Sequence, residues 1–448
     1  MPWVETNSRM IWRGVRIDAD RATQLRGVCV AHEKNLEAEF RRLGIGNHRS
    51  HSQLIAFFRT QGLLDLFRVA GGWAFSEENL EAFEHHHPTI RLLRAARRVS
   101  ELRRDRILTG DLVGADGRVH PRYDQLGTHT GRLTSRFPNI LGLGGVKRPL
   151  VVAGPGRGIG EVDYSQIEMG IAGAVYGDVA LIELFNRGDV YTEILRLGFE
   201  DWILPADRDL PLAELKRRYR VERDQVKPIA LGLLYGRTPH SLALTLEIPL
   251  AEATRLRDRI LSLFPTLAEG LSSVPVFGGI RGYVSTTTGL RRHRRSPRRQ
   301  PSGWEARWML NHPVQGTAAA LFKTAGTRLD RLYRKYDAWL IVPLHDSYIF
   351  ESPLDVYTEV AQLTERVMCE VVQEHFPELD PKVEINTIDP SCWNKAGHSQ
   401  SLECFLEDPT FSLDGVGPRK RTCSDSDEGP SDINRASRSH LKILDSSV

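Results

Sequence analysis

The chain has 448 residues, 41% hydrophobic and 26% charged, so it can bury an ordinary globular core and is not a low-complexity polymer. A net charge of +3 excludes a protein that coats nucleic acid through bulk charge, and directs attention to where the arginines cluster. Five scattered cysteines with no C-x-x-C pair argue against structural zinc and for a reducing compartment; no apolar run reaches the roughly 18 residues of a membrane span. MPWVETNSRM lacks the apolar core of a signal peptide, so a soluble cytoplasmic protein of a bacterial or phage-infected cell is expected.

In chain order, MIWRGVRID carries no clear pattern, and TQLRGVCVAHEKNLEAEFRRL then shows the 3.6-residue period of an amphipathic helix. SHSQLIAFFRTQG has a serine start and a glycine stop, and SEENLEAFE begins with Ser76 in an N-cap pattern. HPTIRLLRAARRVSELRRDRI reads as a long basic helix, so residues 1–107 form a helical lobe with one cationic face. From 108 to 175 glycine, proline and short apolar runs predict strands and turns; residues 166–188 and 205–270 return to helix. GYVSTTTG is β-rich and leads into RRHRRSPRR. The run from Trp304 to Tyr336 is a long helix with a kink expected at Pro313. DAWLIVPLHDSYIFES reads as a hairpin turning at His-Asp-Ser, with Pro343 marking an edge strand or a bulge. After Asn394 the composition becomes polar and reads as a disordered tail.

Four groups of residues suggest chemistry. Asp163 in EVDYSQIE and Asp346 in PLHDSYIFE each end a strand-like run, and two carboxylates from separate strands suit two-metal phosphoryl transfer. Taken singly, Asp163 also fits a helix N-cap and Asp346 a plain turn. Arg223, Lys227 and Leu231 recur every four residues on one helix stripe that drifts towards Tyr235, a pattern suited to a triphosphate and a stacked base or to an ordinary basic face. Pro228 disfavours helix at Lys227, so that helix is expected to start late or kink. Arg307, Asn311 and Gln315 repeat the i,i+4 spacing with groups able to reach minor-groove acceptors, or simply form a polar face. The six arginines of residues 291–299 suit backbone phosphates or a solvated loop.

Together these segments resemble the polymerase module of family A DNA polymerases, the bacterial DNA polymerase I type. DYSQIE (163–168) looks like motif A; Arg223, Lys227, Tyr235 and Gly236 match motif B; His345-Asp346 matches the start of motif C. TGRLTSRFPN, GYVSTTTGLRR, RWMLNHPVQGTAA and WNKAGH follow in family order over roughly residues 1–398. The resemblance implies an α+β right-hand fold: a thumb-like lobe (1–107), an antiparallel palm sheet in two parts (108–177 and 301–398) and helical fingers (178–300), followed by the tail (399–448). It implies Asp163 and Asp346 as ligands of two Mg²⁺ ions, with Mn²⁺ as a substitute, and Lys227 as an aid to the leaving group. Arg223, Lys227, Leu231, Tyr235, Gln166 and Tyr191 would surround the deoxynucleoside triphosphate, and Glu168 would exclude a 2′-hydroxyl. Arg97, Arg103, Arg132, Asn139, Arg307, Asn311, Gln315 and His345 would contact primer–template DNA.

The chain departs from the family pattern at Ser347, where motif C has Glu, at Leu231, usually aromatic, at Tyr191, often His, and at Leu141, usually Gln. The expectation is a divergent, phage-like DNA polymerase for replication or repair synthesis. It would act without intrinsic proofreading, with any exonuclease or replication partner supplied by another chain and no membrane involved. The rivals are a single-subunit RNA polymerase, disfavoured by Glu168, and an inactive primer–template binding protein, favoured only by Ser347.

Overall fold

The computed structural model describes residues 2–394 apart from 70, 247, 296–299 and 388; WNKAGH beyond Asn394, the tail and part of the arginine run lie outside these. The N-terminal part contains α1 (Pro2–Arg13), α2 (Ala19–Arg42), α3 (His51–Thr60), α4 (Glu77–Ala82) and α5 (Pro88–Arg103). Asp18, Ser50 and Ser76 cap their helices by accepting from the backbone N–H three residues on, which satisfies one orphan donor each. The patternless MIWRGVRID is the end of α1 plus a two-residue strand paired with Arg118–Val119. α2 packs along α5. The cationic face expected of α5 is largely neutralised within the protein: buried Arg94 is ringed by Glu77, Glu81 and Glu84, Arg98 pairs with Glu77, and Arg103 with Glu33.

The middle of the chain contributes β1 (Arg157–Tyr164), α6 (Ile167–Tyr176), α7 (Val179–Arg187), α8 (Val190–Gly198), α9 (Leu212–Arg218), α10 (Arg220–Leu234), α11 (Pro239–Leu246), α12 (Leu250–Leu263) and α13 (Pro265–Arg281). The helix expected over 166–188 is split at Gly177, whose φ of +71° ends α6, and Asp178 then caps α7. Helix α10 starts well before Pro228 rather than after it. A proline removes one ladder bond, whereas Val226, Ile229, Ala230, Leu233 and Leu234 are all buried on this helix, and that burial prevails.

A hairpin (Tyr283–Ser285 with Arg291–His293) precedes α14 (Gly303–Leu332), which starts with a Ser302/Glu305 capping box and continues through Pro313, where a kink was expected. Then follow β2 (Trp339–Leu344), β3 (Ser347–Pro353), α15 (Tyr357–His375) and β4 (Val383–Ile385). The strands form one antiparallel sheet in the order β2–β3–β1–β4. Pro343 lies on the edge strand β2, and an irregularity in register falls nearby between Leu340 and Val342, which avoids loss of a ladder bond inside the sheet.

Helices α14 and α15 cover one face of the sheet. The Tyr348 ring stacks on Phe322 at 4.1 Å and its hydroxyl donates to the Phe322 carbonyl; Tyr164 donates to the Met368 carbonyl at 2.7 Å. Gly160 lets the Phe350 ring cross β1, since a Cβ there would lie 2.3 Å from that ring. Strand alternation puts Glu161, Asp163, Ser347 and Glu351 on the opposite face. Glu161 accepts from the Trp393 indole and Glu351 pairs with Arg118 and Arg157, so these two buried acids hold the fold. No single helix among the described residues is long and apolar enough to cross a membrane.

Candidate active site

Asp163 stands one residue from the end of β1, and Asp346 lies in the two-residue turn between β2 and β3. Leu344 pairs with Ser347 across that turn, and His345 takes a left-handed φ of +52°, as a tight hairpin demands. Ser347 faces Asp163, and the Tyr164 N–H donates to the Asp346 carbonyl at 3.2 Å. The two aspartates, nearly two hundred positions apart in sequence, therefore come from adjoining ends of neighbouring strands. Asp163 is not a helix cap: Gln166, at φ +54°, holds that place before α6. Ser347 is 2% exposed and donates to the Leu344 carbonyl at 3.2 Å, while Glu384 faces Asp163 from β4 and accepts from Ser165 at 3.1 Å.

The donor set here is carboxylate oxygen, which suits hard divalent cations. No group of three metal-ligating side chains converges among the described residues. Two carboxylates without a closed cage fit Mg²⁺, which is commonly held by one or two carboxylates together with substrate phosphates and water. Partial burial and the charges of Arg132 and Arg148 lower the His345 pKa, against the pull of Asp163.

Beside this turn a small recess is lined by Arg132, Tyr164, Glu168, Phe322, His345 and Asp346. Glu168, in the first turn of α6, pairs directly with Arg132; its side chain is only 15% exposed. Burial raises its pKa, and Arg132 opposes that rise. Tyr191 is buried close enough that burial and the charges of Glu168 and Asp346 raise its pKa, with Arg223 opposing. The tyrosine thus links the recess to α10.

On α10, Arg223, Lys227, Leu231 and Tyr235 form the expected outward stripe, half-buried except for exposed Lys227. The Arg223 guanidinium lies 5.3 Å and the Lys227 ammonium 5.8 Å from the Tyr191 ring centroid. Gly236 follows Tyr235 at φ +65°, and Leu310 of α14 packs where a Cβ would go. Arg223 is not free. Asp189 grips its Nε and Nη2 at 2.9 and 2.8 Å, and also takes Lys216 at 3.0 Å and the Gln166 amide at 3.2 Å. Burial works against the Asp189 charge, but Arg223, Lys216 and the Thr192 N–H outweigh it and hold the carboxyl well below the usual range.

Against known proteins, the model of DNA polymerase family A matches residues 20–389. The chain belongs to DNA polymerase family A. It is 32% identical to the thermostable DNA polymerase I of Thermus thermophilus over 379 residues, 81% of this chain and 44% of that protein. It is also 32% identical to DNA polymerase I of Chloroflexus aurantiacus over 342 residues, 73% of this chain and 35% of the relative. The chain thus spans less than half the length of these relatives. Among solved structures it is similar to the POL domain of Pol1 from M. smegmatis in complex with DNA primer–template and dNTP. That match has a TM-score of 0.76 at 27% identity and covers 88% of this chain and 69% of that one. The right-hand α+β fold of this family is therefore the fold of this chain.

The other residues singled out from the family pattern are spread more widely. Exposed Arg307 and half-buried Asn311 and Gln315 share one side of α14, between buried neighbours. Asn139 caps a short 3-10 turn, its side-chain oxygen accepting from Ser135 at 2.9 Å and from the Gly142 N–H at 3.3 Å, so that oxygen already has a structural use. Arg97 is half-buried and donates to the Phe75 carbonyl; with His48, Arg49 and Arg104 it lines a cavity of about 430 Å³ between α5 and the loop before α3. Arg103 is turned towards Glu33 and does not line that cavity.

Asp189, Lys216 and Arg148 were missed in the sequence. A signal for Asp189 existed, an acid at a helix start two residues before Tyr191, but it is the pattern of an ordinary N-cap.

Proposed function

We propose that this chain is a DNA-directed DNA polymerase that adds deoxynucleotides to a primer 3′ end by phosphoryl transfer, in replication or repair synthesis. The observation that carries the proposal is the meeting of Asp163 and Asp346 at neighbouring strand ends, beside the Arg132–Glu168 pair. The ligands follow the similar M. smegmatis domain, which is described with primer–template DNA and dNTP. Residues 1–107, 108–177 with 301–398, and 178–300 serve as thumb, palm and fingers.

Asp163 and Asp346 hold the divalent ions, Mg²⁺ or Mn²⁺. When bound, such ions supply the Lewis acidity that lowers the pKa of the primer 3′-hydroxyl and offsets charge on the transferring phosphate. Arg223 and Lys227 bind the triphosphate oxygens, and Lys227 neutralises the departing pyrophosphate. Leu231 and Tyr235 pack against the incoming base, Tyr191 supports both cations from below, and Gln166 orders the start of α6. Glu168, fixed by Arg132, occupies the space a ribose 2′-hydroxyl would need. Arg307, Asn311 and Gln315 meet the minor groove of the primer–template, with Arg132 and His345 near the primer end and Arg97 on the duplex backbone.

Primer extension on a primed DNA template, with Mg²⁺ and either deoxy- or ribonucleotides, tests this beside an Asp346→Ala control. Extension with deoxynucleotides alone, lost in the control, is the expected result. The alternative, an inactive primer–template binder, is favoured by the absence of a carboxylate at Ser347; tight DNA binding with no extension would establish it instead.

A further inference from the structure

Asp189 is 7% exposed, and its carboxylate meets donors from four elements. Nε and Nη2 of Arg223 on α10 lie at 2.9 and 2.8 Å, Lys216 on α9 at 3.0 Å, the Gln166 amide before α6 at 3.2 Å, and the Thr192 N–H of α8 at 3.0 Å. The Thr192 hydroxyl adds a contact at 2.9 Å. Two carboxylate oxygens offer about four lone-pair sites, so Asp189 is saturated.

Arg223 is held asymmetrically as a result. Its Nε–Nη2 edge faces the buried Asp189, while Nη1 pairs with Asp224 at 2.9 Å, and the Asp224 side chain is 52% exposed. A guanidinium is a rigid planar fork, so fixing one edge fixes the direction of the other. One turn further along, Lys227 is exposed and makes no ion pair among the described residues. Both cations stand over the same tyrosine ring. An incoming anion can take Nη1 and Lys227 by displacing the surface carboxylate alone, without disturbing the buried pair.

We propose that Asp189 is the positioning residue of the triphosphate site: it anchors Arg223 from the buried side, so that Nη1 and Lys227 face the nucleotide together. Asp224 is the group that leaves when the nucleotide arrives. The inference rests on the reading of this site as a nucleotide site.

The test is single-nucleotide primer extension with varied dNTP for the wild type, Asp189→Asn and Asp224→Asn, alongside primer–template binding followed by fluorescence anisotropy. Asparagine keeps the oxygen that caps α8 and removes the charge that holds Arg223. Asp189→Asn is expected to raise KM for dNTP roughly tenfold, with kcat and primer–template binding little changed. Asp224→Asn, a surface change that does not threaten folding, is expected to lower KM. An unchanged or lowered KM in Asp189→Asn overturns the proposal, as does a raised KM in Asp224→Asn. Wild-type protein that binds primer–template and never extends it would instead refute the polymerase reading, which separates the two failures.

Discussion

Cutting Glu168 to alanine should weaken discrimination against ribonucleotides. The Glu168 side chain is 15% exposed and ion-paired with Arg132, in the recess beside Asp346. A 2′-hydroxyl has no room beside the carboxylate as Arg132 holds it, and forcing that overlap costs about 1–3 kcal/mol. That penalty is roughly a 5- to 150-fold preference for deoxynucleotides. In Glu168→Ala the space opens, and the ratio of kcat/KM for a matched dNTP to that for its rNTP should fall by this factor, chiefly because the rNTP value rises. Glu168→Gln fills the same volume without the charge, so a gate made by shape keeps its ratio there. Losing the pair with Arg132, which is neither fully buried nor at the surface, should destabilise both variants by about 1–2 kcal/mol, measured as a shift in urea midpoint. If the ratio in Glu168→Ala equals that of the wild type while dNTP incorporation persists, Glu168 is not the gate and the reasoning fails.

Asp163→Ala and Asp346→Ala should each reduce extension by roughly 10³-fold, since each removes metal-dependent stabilisation worth several kcal/mol, while primer–template binding survives. Retained extension in either would remove the paired-carboxylate site. Gly160→Ala should destabilise the palm sheet by about 1–3 kcal/mol, because its Cβ would lie 2.3 Å from the Phe350 ring; an unchanged urea midpoint would contradict this packing. Asp189 has a folded-state pKa below its unfolded value of ~3.9, so its stabilisation is fully present above that value and lost as pH falls through it towards the folded pKa. Thermal melts should therefore show the wild type more stable than Asp189→Asn at neutral pH, with the gap closing on acidification; a gap that widens below pH ~4 would show the sign to be wrong.

The palm hairpin was legible because its signals are local. Apolar arms around His345-Asp346 predict two strands and a turn, and β2 and β3 sit where that pattern puts them. The stripe of Arg223, Lys227, Leu231 and Tyr235 was also legible, since helical period alone aligns it. Pro228 misled about where α10 begins, because the rule against proline inside helices weighs one lost bond. Burial along α10 adds up over many residues, and it is seen only once the partners are in place. The cationic face of α5 misled in the same way, because Glu33, Glu77, Glu81 and Glu84 come from other segments to neutralise it.

Asp178 and Asp189 show where local reading stops. Each follows a glycine and caps the next helix by accepting from the N–H three residues on, at 3.0 Å in both cases. Sequence gives them one role. Asp178 spends its second oxygen on the Leu267 N–H, an interior bond that ties α7 to the start of α13, and it makes no ion pair among the described residues. Asp189 spends its remaining capacity on Arg223, Lys216 and Gln166, all from the region read as the triphosphate site. The cap is set by neighbours along the chain, whereas the charge pairing depends on which helices the fold brings alongside. A motif comparison built on Arg223 and Lys227 therefore supplies the two cations but not the carboxylate that grips Arg223.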